Sequence, residues 1–128
     1  MLRNNTIFKL TTLLILSSSY LNADKLGSLL FHGNCITCHF ETKALSAPSI
    51  IEIKENYLRA FPQKQIFIKY MSTWVEHPNK DTSILLDTIK KYELMPELGF
   101  DKSTLEIIAT YIYETDFTKE HEGHFDAH

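Results

Sequence analysis

The sequence predicts an all-α fold, and three observations carry that prediction. Apolar residues recur at helical spacing in four stretches, residues suited to helix N-caps stand near the start of these stretches, and no alternating strand pattern of useful length competes. The first helix starts near Asp24, an adequate N-cap, and places Gly27, Leu30, Phe31 and Cys35 on one face. Phe61-Pro62 opens a second, running to about Glu76, with Phe67, Tyr70, Met71 and Trp74 as an i, i+3, i+4, i+7 stripe. Asp81 caps a third, whose Leu85, Thr88, Ile89 and Tyr92 face inward, and Ser103-x-x-Glu106 forms a capping box for a fourth that buries Leu105, Ile108, Ala109 and Ile112.

Composition narrows the function. The 128 residues are one small domain's worth of chain, too short for a two-domain enzyme with its own dinucleotide fold. Thirteen basic against sixteen acidic side chains give a net charge of −3, and no basic patch is available to bind nucleic acid. Four glycines, four prolines and the absence of any repeat exclude collagen-like, solenoid and disordered readings. Two cysteines are too few for a disulfide scaffold.

Residues 1–23 read as a secretory signal peptide. Arg3 and Lys9 make a positive start, an apolar run extends from Leu10 to Leu16, and Ala23 closes a small-residue stretch. The run is well short of the ~20 residues that span a bilayer, so no stable membrane insertion is expected after cleavage. Cleavage removes two basic side chains and no acidic one, taking −3 to −5, and the expected destination is an oxidising bacterial periplasm. Residues 24–116 then form the globular domain and 117–128 an acidic tail. His121, His124 and His128 of that tail have the i, i+3, i+7 spacing of a helical metal site, but Gly123 and the terminal position favour a disordered segment.

The most informative pattern is Cys35-Ile36-Thr37-Cys38-His39, the C-x-x-C-H arrangement of covalent c-type haem attachment. Two thiols three positions apart on a helical turn can each add to one vinyl group, which leaves His39 under the iron as its proximal ligand. Three other readings compete. A thioredoxin-like pair needs a βαβ setting, a structural zinc site needs two further ligands, and a plain disulfide leaves His39 unexplained. The second axial position has two thioether candidates once the leader is removed. Met71 reads as a core residue of its helical stripe, whereas Met95 stands before Pro96 and Gly99 on a loop that can hold it against a flat cofactor. Met95 is therefore the expected distal ligand, with Met71 and His77 as the other candidates. Trp74 and Tyr70 are possible donors to a haem propionate or, equally, core aromatics with partners elsewhere.

With the pentad and the Met95-Pro96 loop placed, residues 26–113 resemble the class I cytochrome c family. Gly27-x-x-Leu30-Phe31 is similar to that family's N-terminal helix, which crosses the C-terminal helix through a glycine–aromatic contact, and Tyr111 holds the matching aromatic position. Ala47-Pro48 is similar to the family's proline segment, whose carbonyl preceding the proline supports the histidine; the resemblance thus implies a hydrogen bond from His39 to a nearby backbone oxygen. Two family glycines are replaced, by Ala47 before that proline and by Glu93 before Leu94-Met95-Pro96, and the stretch from Phe61 to Asp81 matches no family pattern.

The resulting expectation is a cytochrome c-like helical fold around one haem c, working as a soluble periplasmic electron carrier between respiratory redox partners and not as an enzyme. Histidine–methionine ligation saturates the iron, and an acidic surface favours partners with basic docking patches. The alternative is a haem subunit of a periplasmic oxidoreductase, or a catalytic or gas-binding haem module associated with one.

Overall fold

The structure, a computed structural model, describes residues 23–119. The signal peptide prediction falls almost entirely on residues outside this range, as do the tail histidines His121, His124 and His128. Among the described residues the fold is all-helical, with five α-helices and no strand. They are α1 (23–34), α2 (Ile50–Ala60), α3 (Lys64–Glu76), α4 (Leu86–Tyr92) and α5 (Lys102–Glu114), with a 3₁₀ turn at Lys80–Thr82. No described helix is long and apolar enough to cross a membrane.

The core lies where α5 packs along α3 and across α1. Leu105, Ile108, Ala109, Tyr111 and Ile112 of α5 are buried, and Phe67 and Met71 supply the facing side of α3. Phe31 of α1 is fully buried, 5.5 Å from the Tyr111 ring. Gly27 makes the α1–α5 crossing sterically possible: a Cβ placed there would stand 2.7 Å from the Cβ of Tyr111. Phe117, assigned to the tail from sequence, is buried against Phe31 and Tyr111, so the packed domain extends past residue 116.

Five expectations about local structure need correction. The segment Ile50–Ala60 is a helix in its own right, capped by the Ser49 hydroxyl, which accepts from the Glu52 amide. Phe61 closes α2, and α3 begins only at Lys64, after the break at Pro62. Tyr70 of the predicted α3 stripe turns outward, 53% exposed, and stacks on Phe61 with ring centroids 4.1 Å apart. Asp81 lies in the 3₁₀ turn that Asn79 caps, while α4 starts at Leu86 without a side-chain cap.

The fifth correction concerns α5. Asp101, and not Ser103, is its N-cap: the carboxylate accepts from the Thr104 amide at 3.0 Å and from both the Ser103 and Thr104 hydroxyls. These bonds, with Ser103 the largest contributor, hold the carboxyl well below the ordinary carboxylate range. Because the folded state lowers this pKa, the cap's contribution is present above the unfolded value of about 4 and disappears as pH falls toward the folded one. Asp101→Ala is therefore expected to lower Tm at neutral pH, with the gap to wild type closing as pH falls below about 4. Thermal melts across that range check this; parallel melting curves at every pH would contradict it.

Candidate functional site

A cavity of about 260 Å³ opens between all five helices and the loops at 35–49 and 93–101. Its walls are mainly aliphatic and aromatic, with Ile50, Val75, Leu85, Ile89, Leu98, Phe100, Leu105, Ile108 and Ile112 among them. Cys35, Cys38 and His39 line it from one segment, and Met95 and Pro96 line it from the α4–α5 loop. Residues separated by more than fifty positions in sequence thus border one space.

The pentad's conformation follows from the end of α1. The Cys35 amide still donates to the Phe31 carbonyl at 2.8 Å, and the Cys38 and His39 amides both donate to the Cys35 carbonyl, at 3.2 and 2.9 Å. This turn winds the chain so that two thiols and one imidazole border the same cavity. Neither sulfur is in a disulfide. Burial, and then the neighbouring Cys38, push the Cys35 thiol up to about 11, so it stays protonated at neutral pH.

His39 is fixed by the loop that follows. Its Nδ1 donates to the Pro48 carbonyl at 2.9 Å, because a carbonyl can only accept. That assignment leaves Nε2 as the lone-pair nitrogen, and it has no protein partner among the described residues. The acceptor is the proline's own carbonyl, one residue later than the carbonyl the resemblance implied. The loop is itself pinned, with the Ile50 and Ile51 amides donating to the Phe40 and Glu41 carbonyls at 2.9 and 3.2 Å.

Met95 is half-buried on an extended segment between α4 and α5. That segment begins at Glu93 with φ 68° and ψ 178°, a conformation that glycine adopts easily and other residues at a cost of about 1–3 kcal/mol. Glu93 thus has a glycine-like backbone at the position where the resemblance implied a glycine. Met71 also reaches the cavity from α3, although it is 4% exposed and packed into the core.

The remaining sequence candidates are employed elsewhere. His32 Nδ1 bonds the Ser28 carbonyl at 2.8 Å and its Nε2 lies 3.4 Å from Glu41. His77 closes α3, 3.1 Å from Glu97, and does not line the cavity. Trp74 lines the cavity, but its Nε1–H donates to the Asn79 carbonyl at 2.9 Å, which leaves no donor for a propionate. Sequence reasoning missed the α2 residues Ile50, Ile53 and Tyr57 that line the cavity, although Ser49-x-x-Glu52 is a helix-start signature that marks this segment.

The fit to haem can be judged from these residues alone. An apolar cavity presents two unpaired thiols, one imidazole with its outer nitrogen fixed and its inner nitrogen unpartnered, and a thioether from a separate loop. Among the described residues no three His, Cys, Asp or Glu side chains gather as a cage for a bare metal ion. Two thiols, an imidazole and a thioether around an apolar cavity make a donor set that a haem could use. No protein-family model, curated protein or solved structure matches the chain.

Proposed function

We propose that this protein is a monohaem c-type cytochrome of the class I kind, exported to a periplasm, that carries single electrons between redox proteins. The observation that carries the reading is the convergence of the pentad and Met95 on one apolar cavity, with the His39 ring already oriented by Pro48. When bound, the group supplies a one-electron ferric/ferrous couple.

The chain's own residues do the rest. Cys35 and Cys38 would hold the group through their sulfurs, and His39 and Met95 would ligate its iron. The Pro48 carbonyl keeps His39 in a single tautomer and raises its basicity as a ligand. Aliphatic walls exclude water, which limits solvent reorganisation when charge changes. A thioether ligand would favour the reduced state relative to a second imidazole, and with both His39 and Met95 bound the iron would offer small substrates no open position. Docking is expected to be brief and of small area, as electron-transfer encounters are.

Expression together with a c-type maturation system tests this. The expected product retains haem after denaturation, is low-spin in both oxidation states and, when ferrous, does not bind carbon monoxide at neutral pH. A matured protein with no covalent haem overturns the reading. A high-spin protein that binds carbon monoxide rapidly replaces the carrier with a catalytic or gas-binding module.

A further inference from the structure

Outside the cavity, one pair of half-buried side chains is held in a way that leaves it incomplete. His32 donates from Nδ1 to the Ser28 carbonyl at 2.8 Å, because a carbonyl only accepts. In the neutral imidazole this leaves a lone pair on Nε2, and Nε2 stands 3.4 Å from Oε1 of Glu41. Two acceptors thus face each other, and a positive species between them turns repulsion into attraction. A proton fits this separation loosely, since N–H···O bonds cluster at about 2.9–3.0 Å. A tetrahedral zinc-type ion fits it well: nitrogen and oxygen ligands at about 2.0–2.1 Å from such an ion stand about 3.3–3.4 Å apart. Glu41 is fixed through its backbone, whose carbonyl accepts from the Ile51 amide at 3.2 Å.

A stable site of this kind takes three or four protein ligands, and no third His, Cys, Asp or Glu among the described residues joins the pair. The chain beyond them carries the rest. The Phe31 ring lies 5.2 Å from the His32 ring and 5.6 Å from the Phe117 ring, so the last turn of the domain is seated beside His32. Lys54 fastens the same turn by donating to the Thr115 carbonyl. From Phe117 to His121 the chain advances four residues, whose reach of about 13 Å exceeds the two ring-to-ring steps together. We propose that His32 and Glu41, with His121 and His124 of the tail, bind a divalent zinc-type cation. Imidazole and carboxylate suit that ion, and the Ser28 carbonyl is the outer partner that orients the His32 ring toward it. The metal then ties the tail to α1. The inference stands apart from the haem reading, because neither His32 nor Glu41 lines the cavity.

Zinc titrated into the full exported chain, followed by calorimetry and zinc K-edge absorption, tests this. One ion per chain is expected, with a nitrogen and oxygen shell at about 2.0–2.1 Å and no sulfur at about 2.3 Å. His32→Gln, Glu41→Gln and a chain ending at Lys119 should each weaken binding by at least about tenfold, the loss that even outer partners of a metal ligand cause. The shortened chain keeps every described residue. Absence of stoichiometric zinc overturns the inference, and so does a sulfur shell, which puts the ion on Cys35 and Cys38. Binding that survives His32→Gln or Glu41→Gln belongs to the tail alone, and binding that survives the truncation does without the tail; either result overturns it. Should the variants fail to accumulate, melting curves of wild type and the shortened chain decide. Zinc should raise the Tm of wild type only, since a tail that bound zinc by itself would bind it in the unfolded state as well. Equal shifts, or none, refute the site.

Discussion

If the protein is the proposed monohaem cytochrome, Met95→Ala is expected to turn a low-spin protein that refuses carbon monoxide into one that is high-spin when ferric and binds carbon monoxide rapidly when ferrous. The far-red charge-transfer band of methionine–iron ligation should vanish with it. The size of the effect follows from chemistry: alanine has no donor atom, and no histidine other than His39 lines the cavity among the described residues. Global stability should change little, because Met95 is half-buried on a loop and outside the buried core. A variant that keeps the methionine band would transfer the ligand role to Met71, which reaches the same cavity from α3. The converse substitution separates the two. Met71→Ala removes a side chain only 4% exposed and should cost about 2–5 kcal/mol of stability while leaving the band in place.

Gly27→Ala should have the largest effect on stability of any single methyl addition to α1. The new Cβ would stand 2.7 Å from the Cβ of Tyr111 and 3.4 Å from the Ile107 carbonyl oxygen. Neither obstacle is the flexible end of a side chain, so α1 and α5 must separate or slide. Overpacking of this kind costs about 1–3 kcal/mol, which exceeds the ~1 kcal/mol that alanine gains over glycine in a helix. Gly33 provides an internal control within the same helix. Nothing lies within 4 Å of a Cβ there, so Gly33→Ala should be neutral or stabilising by up to about 1 kcal/mol. Denaturant midpoints of the two variants test the pair. Equal shifts would mean that Gly27 is not a contact point between the helices.

How much of this was legible in the sequence depended on the range of the interaction. The α5 face of Leu105, Ile108, Ala109 and Ile112 was readable because a single helical stripe determines it, and all four are buried. The inward residues of α4 were readable for the same reason, and all four line the cavity. Ile50–Ala60 was legible by the same signals, with Ile50, Ile53 and Tyr57 at helical spacing behind a Ser49-x-x-Glu52 start, and no physical obstacle accounts for its omission. The choice between Asp101 and Ser103 as cap was hidden. Both are capping residues two positions apart, and only the three-way bonding of the Asp101 carboxylate decides between them. Of the candidate site, the pentad and Met95 were legible as motifs, but their meeting in one cavity is a tertiary fact.

The backbone at Glu93 sets an order of opening. It ends a seven-residue helix that has no side-chain cap and no buried residue, and it leads into a segment whose backbone forms no hydrogen bond among the described residues. Besides its packing on the cavity, that segment is tied to the rest of the molecule by the exposed contact between His77 and Glu97. Lifting it costs few native contacts and releases the left-handed conformation at Glu93. The cavity therefore has one permanent wall, made by the interlocked α1, α3 and α5, and one removable wall that carries Met95. On the haem reading, the strained wall that carries Met95 is the one expected to lift first.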